Sequence, residues 1–292
     1  MLHAGLPIPG VDYVGAHNSR AAAADPFRKV RIGAAGLRPG TPWPDTILGV
    51  ACYASWGQRY LHEYGRTRKD FGYIAVNNRT NAMANEHAIS RDPLTLDDYM
   101  NARMVRAPLT IYDMDFPVDG AEAVVVTTAE RARDLAKTPV LFHAAAEGQT
   151  RYAIEEEMPD LVHQGQQVAA KNLWARTDRT IADIDLFQPY DGFSPMPIGW
   201  IENLYCGPGE GGAFIEDNWN HERNRIEIGG RVLVNSHGGS MSDGASQGAG
   251  HTREAIIQLR GEAGAWQIDG VKHALVTPGG YFFNAGAFIL RT

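Results

Sequence analysis

The stretch from residue 232 to residue 277 limits the possible folds more than any other part of the chain. A short apolar run, Val232–Val234, opens into Asn235-Ser-His-Gly-Gly-Ser-Met-Ser-Asp-Gly-Ala-Ser-Gln-Gly-Ala-Gly250. A helix is predicted over 250–259, closed by Gly261, and a second apolar run follows at 274–277. Strand, glycine loop, helix and strand in that order demand an α/β arrangement, with helices packed on sheets. Gly238, Gly239 and Gly244 are expected to adopt positive φ or to let backbones approach closely. Asn235 is expected to hold the loop through side-chain bonds to backbone.

The rest of the chain alternates in the same way. Helices are predicted over 46–64, 70–85 and 95–104, the last with Thr95 as N-cap and Asp97 and Asp98 at its positive end. Residues 121–127 (AEAVVVT) have the composition of a strand buried on both faces, and a short helix is predicted behind them over 128–135. Strands are predicted at 140–145, 183–188 and 287–290, and a helix within 155–174. The first 45 residues are rich in Gly, Pro, Ala and Arg and read as loop.

Composition narrows the function classes. With 44% hydrophobic and 21% charged residues, the 292-residue chain can build a sizeable globular core. A net charge of −7 leaves no basic footprint for nucleic acid. No apolar run is long enough to span a bilayer, and the N-terminal residues lack the basic and apolar regions of a signal peptide. Two cysteines, Cys52 and Cys206, make no disulfide framework, so the cytoplasm is the expected compartment.

Four segments together carry a resemblance that none carries alone. They are Asp115-Phe-Pro-Val-Asp119-Gly-Ala-Glu-Ala-Val-Val-Val, Tyr190-Asp-Gly-Phe193, Asn235-Ser-His-Gly-Gly-Ser-Met-Ser-Asp-Gly, and Gln258-Leu-Arg-Gly-Glu-Ala-Gly264 with the later Gly279-Gly280. Their order and spacing resemble the C-terminal two-thirds of a thiolase, in the lipid-transfer-protein (sterol-carrier-protein-thiolase-like) branch, over residues 47–292. The resemblance implies a layered thiolase-like α/β fold, with sheets and helices packed between and outside them, whose N-terminal half is incomplete. Residues 1–45 would be a loop-rich segment, 46–145 the remainder of the N-terminal half and 146–292 the C-terminal half. It also implies acyl-CoA substrates, with the coenzyme A thioester arriving as substrate and no cofactor bound permanently. A homodimer and a small partner bearing an OB fold and a zinc ribbon are implied as well.

Against that pattern the departures are severe. The segment carrying the thiolase nucleophile has no counterpart here, the histidine position holds Ala245 and the late cysteine position falls at Thr277. Cys52 lies within a predicted helix and is expected to be a packing residue, while Cys206 sits on a loop away from the nucleophile's place. Ordinary thiolysis needs those groups, so it is not expected of this chain alone. Tyr190 falls where thiolases hold a catalytic water through an asparagine, and Tyr281 stands beside the lost cysteine's position. In branch members that cleave steroid side chains, paired tyrosines act as acid and base in retro-aldol cleavage of a β-hydroxyacyl-CoA, which needs no acyl-enzyme. By resemblance, Tyr190 and Tyr281 are the expected acid/base pair, provided the phenol pKa is lowered. His237 is a candidate proton carrier, and Asn235, Gly238, Gly239, Asp191 and Phe193 are candidate substrate contacts. For Tyr190 and Tyr281 the competing reading is a hydrogen-bonded core tyrosine, and for His237 a loop histidine bonded to backbone.

Two apparent motifs carry no site. Asp113 to Asp119 lacks the calcium-loop pattern and reads as a structural turn, so no metal is expected. The stretch Gly207-Pro-Gly209-Glu-Gly211-Gly212 imitates a dinucleotide fingerprint but contains Pro208, and no regular helix is predicted after it. The expectation is therefore an acyl-CoA-acting lyase. Its rival is a non-catalytic acyl-CoA or lipid-binding subunit, or a truncated inactive thiolase homologue.

Overall fold

A computed structural model describes residues 50–152, 158–280 and 282–292. The 1–45 segment, the first residues of the helix predicted over 46–64, and Tyr281 lie outside the described residues. Three helices open the described chain: α1 (Val50–Glu63), α2 (Lys69–Ala82) and the short α3 (Leu96–Met100). Helix α1 stops where Gly65 takes φ +62° and the Arg66 N–H turns back to the Leu61 carbonyl. Helix α3 begins at Thr95, whose hydroxyl accepts from the Asp98 N–H while the Asp98 carboxylate accepts from the Thr95 N–H. It ends at Met100, four residues short of the predicted end, and Met104–Arg106 (β1) then pairs with Leu109–Thr110 (β2).

After α4 (Ala129–Ala132) the chain enters its sheet. The strands are β3 (Leu141–Gln149), β4 (Leu186–Pro189), β5 (Trp219–Asn220), β6 (Arg225–Ile228), β7 (Val232–Val234), β8 (His273–Gly280) and β9 (Asn284–Arg291). Their spatial order is β3-β9-β8-β4-β7-β6-β5. Strand β4 is parallel to both β7 and β8, and the other pairings are antiparallel. The helices between them are α5 (Gly165–Trp174), α6 (Pro195–Leu204), α7 (Gly211–Asp217), α8 (Gly239–Ser242) and α9 (Ala249–Arg260).

Period-two alternation along these strands builds two cores. Phe187, Val232, Val234, Leu275 and Ile289 point into the larger one, shared with α1, α2, α5 and α6. Their neighbours Leu186, Leu233, Ala274, Val276 and Leu290 point into the second, closed by Ala255 and Leu259 of α9. Helix α5 lies directly on the β3–β9 pair because Gly148 faces Gly165 and Ala169, where any Cβ would strike helix backbone. Helix α2 is buried almost all round, and its polar residues Asp70, Asn77, Asn78, Arg79 and Asn81 lie inside with it. Each of these five makes side-chain hydrogen bonds.

Residues 121–127 correct the sequence expectation. They form no strand, and Val124, Val125 and Val126 are 58%, 93% and 75% exposed. A continuous apolar run becomes a buried strand only when other strands satisfy both of its edges, and none among the described residues pairs with it. Val125→Lys is therefore expected to change unfolding free energy by less than about 0.5 kcal/mol. A urea titration showing a loss of about 2 kcal/mol or more would mean that Val125 is packed in a core.

Candidate active site

Because β4, β7 and β8 are parallel, the loops leaving their C-terminal ends emerge on one edge of the sheet, the usual place for a site in an α/β sheet. The first loop carries Tyr190, Asp191, Gly192 and Phe193. The second carries Asn235, Ser236, His237 and Gly238 into α8. Pairing continues past the strand ends, with Tyr190 N–H donating to the Thr277 carbonyl and Asn235 N–H to the Phe187 carbonyl. A third segment, Asp115-Phe-Pro-Val, straps over these loops. Asp115 N–H donates to the Gly192 carbonyl, Phe116 N–H to the Ser240 carbonyl, and Ala245 N–H to the Phe116 carbonyl.

Asp191 is the hub. It is fully buried, and its carboxylate accepts from the Asn78 amide (2.6 Å), Ser240 N–H (2.7 Å) and Met241 N–H (3.1 Å). His251 Nε2 lies 2.9 Å from its Oδ1. Gly239, at φ +61°, is required there, since a Cβ would collide with the same carboxylate. Fully buried and bonded to helix α2, the start of α8 and helix α9, Asp191 shapes the loops from behind. Phe193 likewise turns inward and stacks on Tyr53 at 4.1 Å.

Tyr190 is 9% exposed, and its hydroxyl donates to the exposed Gln247 side chain at 3.3 Å. Behind it the His251 ring stands edge-on at 5.9 Å, and the His237 ring lies a further 5.1 Å from His251. Both histidines are 1% exposed, and each has an Nδ1 with no hydrogen-bond partner. Burial, then His251 and Arg253, hold His237 well below its ordinary pKa, so it is neutral. Tyr190 moves opposite to the expected direction. Burial, with the charges of Asp115 and Asp191, raises its pKa, which keeps the phenol protonated. Asp115 is pushed up to about 7 by burial and by the charge of Asp191, so this carboxyl exchanges a proton near neutrality.

That shift makes stability depend on pH. The unfolded Asp115 carboxyl titrates near 3.8 and the folded one near 7. Between these values the folded state binds the extra proton, so stability falls as pH rises through this window and then levels off. Asp115→Asn is expected to be more stable than the parent at about pH 8, with the difference vanishing near pH 4. Urea midpoints at the two pH values check this, and an equal difference at both would contradict it.

The sequence-predicted residues divide. Tyr190, Asp191 and His237 converge on one site, whereas Tyr281 lies outside the described residues. Asn235 does not hold its loop as expected, because neither atom of its side-chain amide has a partner. Its backbone carries the turn at φ +50°, and its carbonyl accepts from Gly238 N–H and the Asn81 amide. Gly238, Gly239 and Gly244 take positive φ as predicted. Asp115 and His251 were not singled out. The first sits in the stretch read as a turn, and the second lies on a helix without a motif. Asp113, in that same stretch, is structural, accepting from Tyr99, Thr110 and Ser194.

The cysteines have no part here. Cys52 is buried in the larger core, and the Cys206 thiol is pushed up to about 12 by burial, Glu202 and Glu210. In the glycine stretch, Gly209 and Gly211 N–H donate to Glu202 and Gly207 N–H to Glu210, which occupies the amides a dinucleotide would need. A seven-residue helix, α7, begins at Gly211 within that stretch, contrary to the sequence expectation. Among the described residues, no helix is long and apolar enough to cross a membrane.

Residues 146–292 match the family described as thiolase C-terminal domain-like. The chain belongs to the thiolase family. Within it, the chain is 37% identical over 238 residues to the 17-hydroxy-3-oxo-4-pregnene-20-carboxyl-CoA lyase of Mycobacterium tuberculosis, covering 79% of this chain and 59% of that one. It is 36% identical to the steroid side-chain-cleaving aldolase of Thermomonospora curvata, covering 77% and 58%. A solved structure, the Ltp2-ChsH2(DUF35) aldolase, superposes with a TM-score of 0.74 at 30% identity, over 92% of this chain and 68% of that one. The chain thus spans about three-fifths of the length of the curated relatives it matches.

Proposed function

We propose that this thiolase-family chain takes part in retro-aldol cleavage of a β-hydroxyacyl-CoA whose β-carbon bears a tertiary alcohol, such as a steroid side-chain thioester. The observation that carries this is a site with two proton-bearing groups, Tyr190 and Asp115, and no cysteine among its described residues. Tyr190 is held as a neutral phenol, and Asp115 is poised near neutrality beside it. The Gly192 carbonyl accepts from Asp115 N–H, while a Cβ on Gly192 would stand 2.8 Å from the Tyr190 hydroxyl, so the strap and the phenol meet at this glycine.

The chemistry follows from the groups. The Asp115 carboxylate takes the alcohol proton, the C–O bond becomes a ketone, and the Cα–Cβ bond breaks with its electron pair passing to the thioester enolate. Tyr190 supplies a hydrogen bond or proton to that enolate, a role suited to a phenol with a raised pKa. The rings of His251 and His237 lie in turn behind Tyr190 and pack its ring from the protein side. Tyr281, the second tyrosine of the family resemblance, is proposed as the second acid/base group.

The lyase and aldolase names of the relatives support the substrate class, and the paired name of the solved structure supports a partner subunit. We assign residues 46–145 to the remainder of an N-terminal half and 146–292 to a C-terminal half. A homodimer and an OB-fold/zinc-ribbon partner follow from the family resemblance. The test is cleavage of such a thioester, with the partner subunit present and no free coenzyme A, followed by mass spectrometry of the products. Tight acyl-CoA binding without cleavage would favour the binding-subunit reading.

A further inference from the structure

Helix α2 presents a row of asparagines to the two site loops, and every one of them is engaged. Asn77 donates to the Val234 carbonyl (2.9 Å) and Asn81 to the Val234 and Asn235 carbonyls (2.9 and 3.2 Å). Just past the helix end, Asn85 donates to the His237 carbonyl (3.0 Å). Asn78 donates to the Asp191 carboxylate, the hub of the site, at 2.6 Å. Its own amide oxygen accepts from Asn77 (2.9 Å), whose oxygen accepts in turn from the Ile226 N–H (2.8 Å).

We propose that this chain of bonds, from Ile226 through Asn77, Asn78 and Asp191, holds His251 as its Nε2–H tautomer, so that Asn78 is a positioning residue for the site. The polarity of the chain permits one arrangement. The Ile226 N–H can only donate, which makes the Asn77 oxygen the acceptor and directs its amide toward Asn78. The Asn78 oxygen is then used, so its amide must face Asp191. Two backbone N–H groups, of Ser240 and Met241, also point at Asp191, so the carboxylate accepts on every side. The atom of His251 facing it therefore carries a hydrogen, and in the neutral form of the ring the lone pair falls on Nδ1, the atom without a partner. That lone pair belongs to the ring that stands edge-on to Tyr190 at 5.9 Å, so the tautomer fixes which atoms of His251 the site presents.

The functional consequence rests on the retro-aldol reading, but the tautomer does not, so a test without substrate separates the two. In protein labelled with nitrogen-15 at histidine, the His251 signals are assigned by their loss in His251→Gln. At about pH 8, where an ordinary imidazole is neutral, the parent is expected to show a protonated Nε2 and a bare Nδ1. Asn78→Ser should shift the ratio of the two tautomers by about tenfold or more, as expected when one charge-assisted bond is lost. Asn203→Ala, which removes a side-chain bond to the Gly199 carbonyl elsewhere, should lower stability without moving that ratio. If Asn78→Ser does not fold, Asn78→Asp replaces it. Its protonated acid still donates to Asp191 and its anion cannot, so the tautomer ratio should then depend on pH. A protonated Nδ1 in the parent overturns the proposal, as does a tautomer ratio that neither Asn78 variant moves.

Discussion

Tyr190→Phe is expected to lower turnover of a β-hydroxyacyl-CoA by about 10²–10⁴-fold, the usual contribution of one positioned acid or base. The substitution removes only the hydroxyl. In the folded protein that hydroxyl makes one long bond, 3.3 Å to the exposed Gln247, so stability should change by about 1 kcal/mol or less. The ring keeps its packing against His251. Because the phenol's pKa is raised, the loss should appear in kcat at every pH where the parent is active, with no new pH limb. Steady-state kinetics beside a urea titration separates these effects. Unchanged turnover would make Tyr190 a core tyrosine.

Asp191→Ala should be the most damaging single change to the fold of the site. It leaves the Ser240 and Met241 N–H groups, the Asn78 amide and the His251 Nε2–H buried without an acceptor. Breaking a buried charged partner typically costs about 3–5 kcal/mol, and the stranded donors place this change at the upper end of that range. The loop from His237 to Ser242 should loosen with it, since Ser240 and Met241 anchor the start of α8 to this carboxylate. Urea unfolding and amide exchange at Ser240 and Met241 check the prediction. A loss below about 1 kcal/mol would show that water replaces the lost acceptor at little cost.

Much of the fold was legible because its elements announce themselves locally. Val232–Val234 is found where its apolar run ends at a glycine loop, α9 closes at Gly261, and Thr95 caps α3 with the acids placed for it. Residues 121–127 were misread for the complementary reason. The side chains of Val124, Val125 and Val126 suit a strand, but strand formation depends on neighbours that the run itself does not encode. At the site, Tyr190, Asp191 and His237 stood out because they sit on loops of recognisable pattern. His251 did not, since its significance comes from Asp191, 60 residues earlier in the chain. Asp115 was set aside because its spacing fails as a metal loop, whereas its chemistry comes from burial beside a second carboxylate. Asn235 shows the converse, a residue whose type suggested side-chain bonding and whose backbone does the work.

Cleavage in deuterated water, without free coenzyme A and with the partner subunit present, tests the proposed chemistry most directly. Retro-aldol cleavage of a β-hydroxyacyl-CoA with a tertiary alcohol should release a ketone and a shortened acyl-CoA that carries one solvent deuteron at its α-carbon. The protein mass should remain unchanged throughout, since no acyl group is transferred to it. A covalently acylated protein, or cleavage that proceeds only when free coenzyme A is added, would contradict that mechanism.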